Sequence, residues 1–373
     1  MLRGLKIVLT LHYSHFEITM DPKLYNIGVV GAGMIARQHL EHIRNTNRAH
    51  VSWIAALRPE NLEEVRSMYG IKYKTHDYRD MLNDPNVDAI LITTPPHLHK
   101  EMFIETLRAG KHLLLEKPMA IRSEDLEEIL AVQMKFPQLQ AMECSGRHAR
   151  LSPKFRKAKE IVDSGVLGDI YHIHHQSLDR QGRPGIEFHP EGKWFLDRSR
   201  AGGGPIFDWG VYDLSFHLGI LGDSHELEQV ESAWMKRGLD EVDPGTEIYD
   251  VEEHFAVNMK FTKGLSYYWE RGAHANVKVA NETRIYGTRG GIKMAYCTWD
   301  DPVVTWYDLD QSGKAREQKI EVDMTYHSHD GYALMEHFFN VLDGEEEPVI
   351  SLEQAKKHLD IIIKCCQFAE NSV

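Results

Sequence analysis

The stretch Gly31-Ala32-Gly33-Met34-Ile35-Ala36 constrains this chain more than any other. It follows a short apolar run, Ile27 to Val30, and precedes a helical pattern with Ile35, Leu40 and Ile43 on one side. A G-x-G-x-x-A turn between a strand and a helix suits a pyrophosphate. The first glycine turns the chain sharply, and the second removes the Cβ that would block the phosphates. Ala36 lets the new helix pack close on the strand. The helix start then offers unpaired N–H groups and a positive dipole to the anion. Gly31, Gly33, Met34 and Ile35 are therefore candidate cofactor contacts.

Strand and helix patterns alternate from there. Strands are expected at Val51–Leu57, Ile71–Lys74, Val87–Thr94, His112–Leu115 and Leu139–Cys144. Helices are expected at Asn61–Met68, stopped by Gly70, in a short turn over Asp77–Leu82, and at Ser123–Met134 with Ser123 as N-cap. Such alternation predicts an α/β N-terminal domain on a doubly wound parallel sheet, with ligands at the carboxyl ends of its strands. Gly31, Arg58, Thr94 and Lys117 all fall at those ends. An acid that would bind a ribose diol is expected about 20 residues past the glycines. None is there, and Arg58 follows the second strand instead. A guanidinium suits a 2′-phosphate, which favours NADP over NAD. Stacking of Arg58 on the adenine, or a solvent-facing position, is the alternative.

The second half reads differently. A helix is expected at Pro153–Val162 and a strand at Ile170–Leu178. On that strand His172 and His174 share one face and His175 takes the other, so the three do not form a tetrahedral set and no metal is expected. The segment from Gln181 to Ala201 has the length and composition of a binding loop. Its Arg183, His189, Trp194 and Arg198 are candidates either to contact a ligand or to brace the loop. Gly202-Gly203-Gly204 then leads to a helix expected to begin near Asp208, which places Asp208 and Tyr212 on one face. Asp213 and His217 form a second pair, turned away and read as structural.

From Gln229 onward strands dominate: Val230–Met235, Glu252–Phe261, Leu265–Arg271, Thr283–Tyr286, Gly291–Ala295 and Val303–Tyr307, with a hairpin turn at Thr262-Lys263-Gly264. Closing helices are expected at Tyr332–Leu342 and Leu352–Phe368. This half is expected to be α+β, on a large, mostly antiparallel open-faced sheet. Its second face needs helices or another subunit to cover it, so a homodimer or homotetramer is expected.

A chain of 373 residues suits two domains. The boundaries expected are 23–147 for dinucleotide binding and 148–373 for substrate binding and oligomerisation, with 1–22 set apart as an N-terminal extension. The net charge of −13 argues against nucleic acid or an anionic membrane as the main partner. No apolar run approaches the ~18 residues of a membrane span. Cys144, Cys297, Cys365 and Cys366 lack C-x-x-C spacing and read as reduced thiols in a cytoplasmic protein.

Taken together, the Gly31–Ala36 turn, Thr94-Pro95-Pro96-His97-Leu98-His99, Glu116-Lys117-Pro118, and Gly202-Gly203-Gly204 leading to Asp208-Trp209-Gly210-Val211-Tyr212 resemble the Gfo/Idh/MocA family of oxidoreductases. The resemblance covers nearly the whole chain from about residue 24. It implies a Rossmann domain, a C-terminal α/β domain, a nicotinamide cofactor, and substrates that are mostly sugars, cyclitols or related alcohols. Thr94, Pro95, His99, Glu116 and Lys117 join the cofactor contacts. Lys117, Arg147, Trp194, Asp208 and Tyr212 are the expected substrate contacts.

Hydride transfer requires an acceptor for the hydroxyl proton. Lys117 beside Tyr212 is expected to stabilise a phenolate and lower its pKa, with Asp208 orienting the substrate or Lys117. Lys117, Tyr212 and Asp208 are thus the candidate catalytic group. Many relatives carry histidine in place of Tyr212. The tyrosine version resembles the glucose–fructose oxidoreductase and dihydrodiol dehydrogenase branch, which favours NADP. The leading expectation is an NAD(P)-dependent oxidoreductase of a sugar or polyol. The alternatives are an NAD-dependent glycosidase of the same fold, distinguished by release of free sugar without net reduction, and a non-catalytic sensor, distinguished by failure of any alcohol to reduce the cofactor.

Overall fold

The structure is a computed structural model, and it describes residues 23–179, 192–239, 248–277, 279–297, 299–324 and 330–371. The 1–22 extension, Arg183 and His189 lie outside the described residues.

The N-terminal half builds a six-stranded sheet from β1 (Tyr25–Val30), β2 (Ala49–Ala55), β3 (Tyr73–Thr75), β4 (Ala89–Ile92), β5 (His112–Leu115) and β6 (Ala141–Glu143). Its order is β3-β2-β1-β4-β5-β6 and every pair is parallel. The strands of such a sheet are covered on both faces, and β4 (Ala-Ile-Leu-Ile) is accordingly buried at every position. The order reverses between β1 and β4, which opens a crevice outside their carboxyl ends. The helix Pro59–Tyr69 ends at Gly70 in the left-handed conformation, as expected.

One cap is corrected. The helix over Ser123–Gln133 has Arg122, not Ser123, at its N-cap. The Ser123 hydroxyl instead donates to Asp360 at 2.9 Å, a partner 237 residues away that local pattern could not reveal.

The second sheet has eight strands: β7 (Ile170–Leu178), β8 (Leu227–Lys236), β9 (His254–Phe261), β10 (Leu265–Gly272), β11 (Val279–Gly287), β12 (Gly291–Met294), β13 (Val303–Leu309) and β14 (Ala315–Glu321). The order is β14-β13-β12-β11-β7-β10-β9-β8, antiparallel except where β7 meets β10. Lys263 and Gly264 turn the β9–β10 hairpin with positive φ. β14 was not expected: its Ala-Arg-Glu-Gln-Lys-Ile-Glu sequence buries nothing fully, and it is recruited as an edge by pairing with β13.

The glycines at 202–204 lead directly into a helix over Pro205–Ile220, three residues earlier than the sequence pattern placed it. Proline at the first helical position has its φ preset and no N–H to lose. Every residue of this helix except Trp209 is buried. It packs against the sheet on one side and the helix Leu352–Asn371 on another. Its inner face is fixed by Asp213, which accepts from Arg271 at 2.5 and 2.6 Å, Trp269 at 2.8 Å and Tyr296 at 2.5 Å. The helix Asp330–Asp343 returns to the first sheet. Leu334, Phe338 and Phe339 join the core of β1 and the helix Met34–Thr46, and Tyr25 donates to Asp343 at 2.6 Å.

Candidate active site

The glycine turn has the shape a dinucleotide requires. Gly31 sits at φ +111°, and a Cβ there would lie 2.3 Å from Thr93 Oγ1, so only glycine fits. At Gly33 a Cβ would meet no atom within 4 Å among the described residues, so its Cα faces open space. The helix Met34–Thr46 has no side-chain cap and no acid in its first turn, which leaves its N–H groups and dipole for an anion. Ala36 is buried against the sheet. Arg58 is exposed and forms the N-cap of the next helix. These residues fit a bound dinucleotide.

At the ends of β4 and β5 the chain is braced internally. His99 is fully buried, and its nitrogens lie 2.9 Å from the Pro118 carbonyl and 2.8 Å from the Thr94 carbonyl. It packs between Thr94 and the loop after β5, and with one N–H on the neutral ring it donates to one of these two carbonyls. Burial pushes its pKa down to about 4, so the ring is neutral.

Glu116 is also buried. One carboxylate oxygen meets His39 at 2.7 Å and Arg147 at 3.3 Å, and the other accepts the Lys117 N–H at 3.0 Å. Burial alone would raise its pKa, but the Arg147 charge and the His39 bond outweigh that and hold the carboxyl well below its usual range. His39, Glu116 and Cys144 also lie close enough to share a metal ion. The ion pair with Arg147 already uses that carboxylate, and burial pushes the Cys144 thiol up, away from the thiolate a metal prefers.

Lys117 reaches across to the helix Pro205–Ile220. Its ammonium donates to the Asp208 carboxylate at 2.6 Å and to the Asp208 carbonyl at 2.8 Å. It lies 5.0 Å from the centre of the Tyr212 ring, over its face. Lys117, Asp208 and Tyr212, 95 residues apart at the extremes, thus meet in one place.

The expected electrostatics of Tyr212 require a correction. Its hydroxyl is met not by Lys117 but by Arg147, which donates at 2.8 Å. The residue is 1 % exposed. Burial raises its pKa well above 10, and the Arg147 charge offsets this only in part. The phenol stays protonated through the neutral range.

Several residues here were not singled out from the sequence, or not for these roles. Arg147, expected as a substrate contact, bonds the Tyr212 hydroxyl and pairs with Glu116. His148 packs edge-on to Tyr212 at 4.7 Å and bonds Asp330 through Nδ1. Trp209 lies 5.7 Å from His148, and Trp299 caps both rings. Glu143, at the end of β6, is buried beside this group, and burial raises its pKa to about 7. A histidine next to an arginine after an apolar strand was the visible signal, but its carboxylate partner lies 182 residues further on. Trp194 stacks its ring on Phe195 at 3.7 Å.

Two family models match the chain. One describes an oxidoreductase family with an NAD-binding Rossmann fold (GFO_IDH_MocA) and matches residues 25–137. The other describes the GFO/IDH/MocA C-terminal domain and matches residues 155–293. A myo-inositol 2-dehydrogenase of Thermotoga maritima is 28% identical over 204 residues, 55% of this chain and 56% of that protein. A levoglucosan dehydrogenase of Pseudarthrobacter phenanthrenivorans is 26% identical over 298 residues, 73% of each. Among solved structures, a levoglucosan dehydrogenase in complex with NADH and levoglucosan superposes with a TM-score of 0.81 at 20% identity, covering 94% of this chain and 98% of that one.

Proposed function

The chain belongs to the Gfo/Idh/MocA oxidoreductase family, and from that premise we propose that it is an NAD(P)-dependent dehydrogenase or reductase of a sugar, sugar derivative or cyclitol. The observation that carries this reading is the Lys117 ammonium, 2.6 Å from Asp208 and over the ring of Tyr212, at the same strand-end edge as the Gly31 turn. A nicotinamide ring bound there supplies the hydride acceptor or donor at its C4.

The chain's own residues do the rest. Gly31, Gly33, Met34 and Ile35 cradle the pyrophosphate, and Thr94, Pro95 and Glu116 line the strand ends with His99 bracing them. Lys117 and Tyr212 converge on the reacting oxygen, where a positive charge offsets the negative charge that develops as C–H and O–H bonds change. Asp208 fixes Lys117 and orients neighbouring hydroxyls. Arg147 and Trp194 are further substrate contacts in this reading. Arg58 favours NADP by pairing with a 2′-phosphate. Residues 23–147 form the cofactor domain and 148–373 the substrate domain, with the helix Asp330–Asp343 reaching back to the first.

No described helix is long and apolar enough to cross a membrane. The four cysteines are buried and unpaired, which suits a reducing cytoplasm. The outer face of the eight-stranded sheet carries exposed Trp234 and Tyr307, and a second copy of the chain covers it.

A panel of sugars and cyclitols, followed by absorbance of the reduced nicotinamide with NAD and NADP in parallel, tests the assignment. At least one alcohol reduces the cofactor stoichiometrically. Release of free sugar without net reduction, or no reduction by any compound, overturns it. Sedimentation velocity tests the assembly.

A further inference from the structure

Position 148 holds a histidine that the reaction above leaves unused. Nδ1 of His148 is bonded to the Asp330 carboxylate, which stands at the start of the 14-residue helix Asp330–Asp343. A carboxylate accepts only, so the proton of the neutral ring sits on Nδ1 and Nε2 keeps its lone pair. Among the described residues Nε2 has no hydrogen-bond partner, and the side chain keeps 12% of its surface exposed. The ring is held from three sides, edge-on to Tyr212 at 4.7 Å, stacked on Trp209 at 5.7 Å and against Trp299 at 5.1 Å. An imidazole fixed by a carboxylate, with its second nitrogen open beside the reacting group, has the arrangement of a general base. Tyr212 does not, since its hydroxyl already accepts from Arg147 and is left with its own proton to donate.

We propose that His148, oriented by Asp330, takes the proton of the substrate hydroxyl, and that Tyr212 holds the reacting oxygen by a hydrogen bond without ionising. The inference rests on the oxidoreductase reading. In the oxidation direction the O–H bond breaks and its proton passes to Nε2, forming an imidazolium paired with Asp330. The O–H electron pair becomes the second bond of the carbonyl. The C–H pair leaves as hydride to the nicotinamide dinucleotide, which is reduced as the alcohol is oxidised.

The charges facing the ring decide its protonation. Burial disfavours the imidazolium, as do the neighbouring Arg147 and Lys117 charges, while Asp330 favours it. The first group wins, and His148 is neutral at pH 7 and ready to accept.

The test uses the full-length holoenzyme with the best alcohol of the panel. Expected are a single-proton acidic limb in the kcat profile of the natural chain, a loss of at least about a hundredfold in H148Q together with that limb, and a limb moved to lower pH in D330N. Y212F loses rate but keeps the limb. Retention of the limb in H148Q, or its loss in Y212F alone, overturns the proposal. A second measurement needs no turnover. In a 15N-histidine spectrum at pH 7, the signal absent from H148Q identifies His148. The proton on Nδ1 with Nε2 bare supports the proposal; an imidazolium, or a proton on Nε2, overturns it. If no alcohol reduces either cofactor, the oxidoreductase reading has failed, and the spectrum still reports separately on the state of His148.

Discussion

The Lys117 ammonium is gripped twice by one residue, at 2.6 Å by the Asp208 carboxylate and at 2.8 Å by the Asp208 carbonyl. The carbonyl belongs to a helix and the lysine to a strand end, so the two halves of the chain fix one charge between them. With both side chains nearly buried, the pair is screened little by salt. In the proposed reaction, K117A removes the charge that faces the reacting oxygen. Its kcat falls by about a hundredfold or more, whereas nicotinamide dinucleotide affinity, read by fluorescence of the reduced form, changes by only a few fold. Activity within tenfold of the natural chain would show that the ammonium is not at the reacting oxygen.

Behind the same helix, Asp213 and Arg271 form a fully buried pair with Trp269 and Tyr296 as further donors. Burial would raise the Asp213 pKa, but Arg271 outweighs it and holds the carboxyl well below its usual range. D213N leaves the guanidinium buried without its counter-charge. The expected loss is about 3–5 kcal/mol of stability, read as a lower urea midpoint with an unchanged slope. A loss under about 1 kcal/mol would mean that the neutral amide pairs as well as the carboxylate.

Arg58 caps the helix Pro59–Tyr69 at the edge of the glycine turn, exposed to solvent. If it holds a 2′-phosphate, the contact is a charge-assisted hydrogen bond in high dielectric. R58A then lowers the ratio of kcat/KM for NADP over NAD by about tenfold, and added salt lowers the same ratio in the natural chain. An unchanged ratio would remove the basis for preferring NADP.

How much of this was legible in the sequence depended on distance along the chain. Gly31 to Ala36, β4 and β5 were readable because the buried run of a central strand, all of β4 and Leu113 to Leu115 of β5, is apolar and a dinucleotide turn needs glycine at fixed places. Asp208 and Tyr212 were readable as one helical face. β14 was not, since an edge strand of alternating charges looks like a loop until β13 pairs with it. Nor was the environment of Tyr212. Lysine beside tyrosine suggested a lowered phenol pKa, but Arg147 takes the hydroxyl and burial reverses the shift. The His148–Asp330 pair spans 182 residues, a separation at which no periodicity connects the two.

Glu143 offers a test of the buried site through stability alone. Its carboxylate accepts the Ser145 N–H at 2.7 Å, yet burial dominates and raises its pKa to about 7, from an ordinary value of 4.5. Between those two values the folded chain keeps a proton on Glu143 that the unfolded chain has lost. Stability from this group is therefore greatest below pH 4.5, falls as pH rises toward 7, and is level above it. The slope is up to about 1.4 kcal/mol per pH unit. E143Q is neutral at every pH and can still accept from Ser145, so it loses this dependence. Urea midpoints at pH 5, 6, 7 and 8 should show E143Q gaining on the natural chain with each step up to 7 and no further. His39 and His148, whose pKa values burial lowers, titrate in both proteins and cancel in the difference. A difference that stays flat from pH 5 to 8 would mean that Glu143 is charged throughout, and that water or a cation reaches the end of β6.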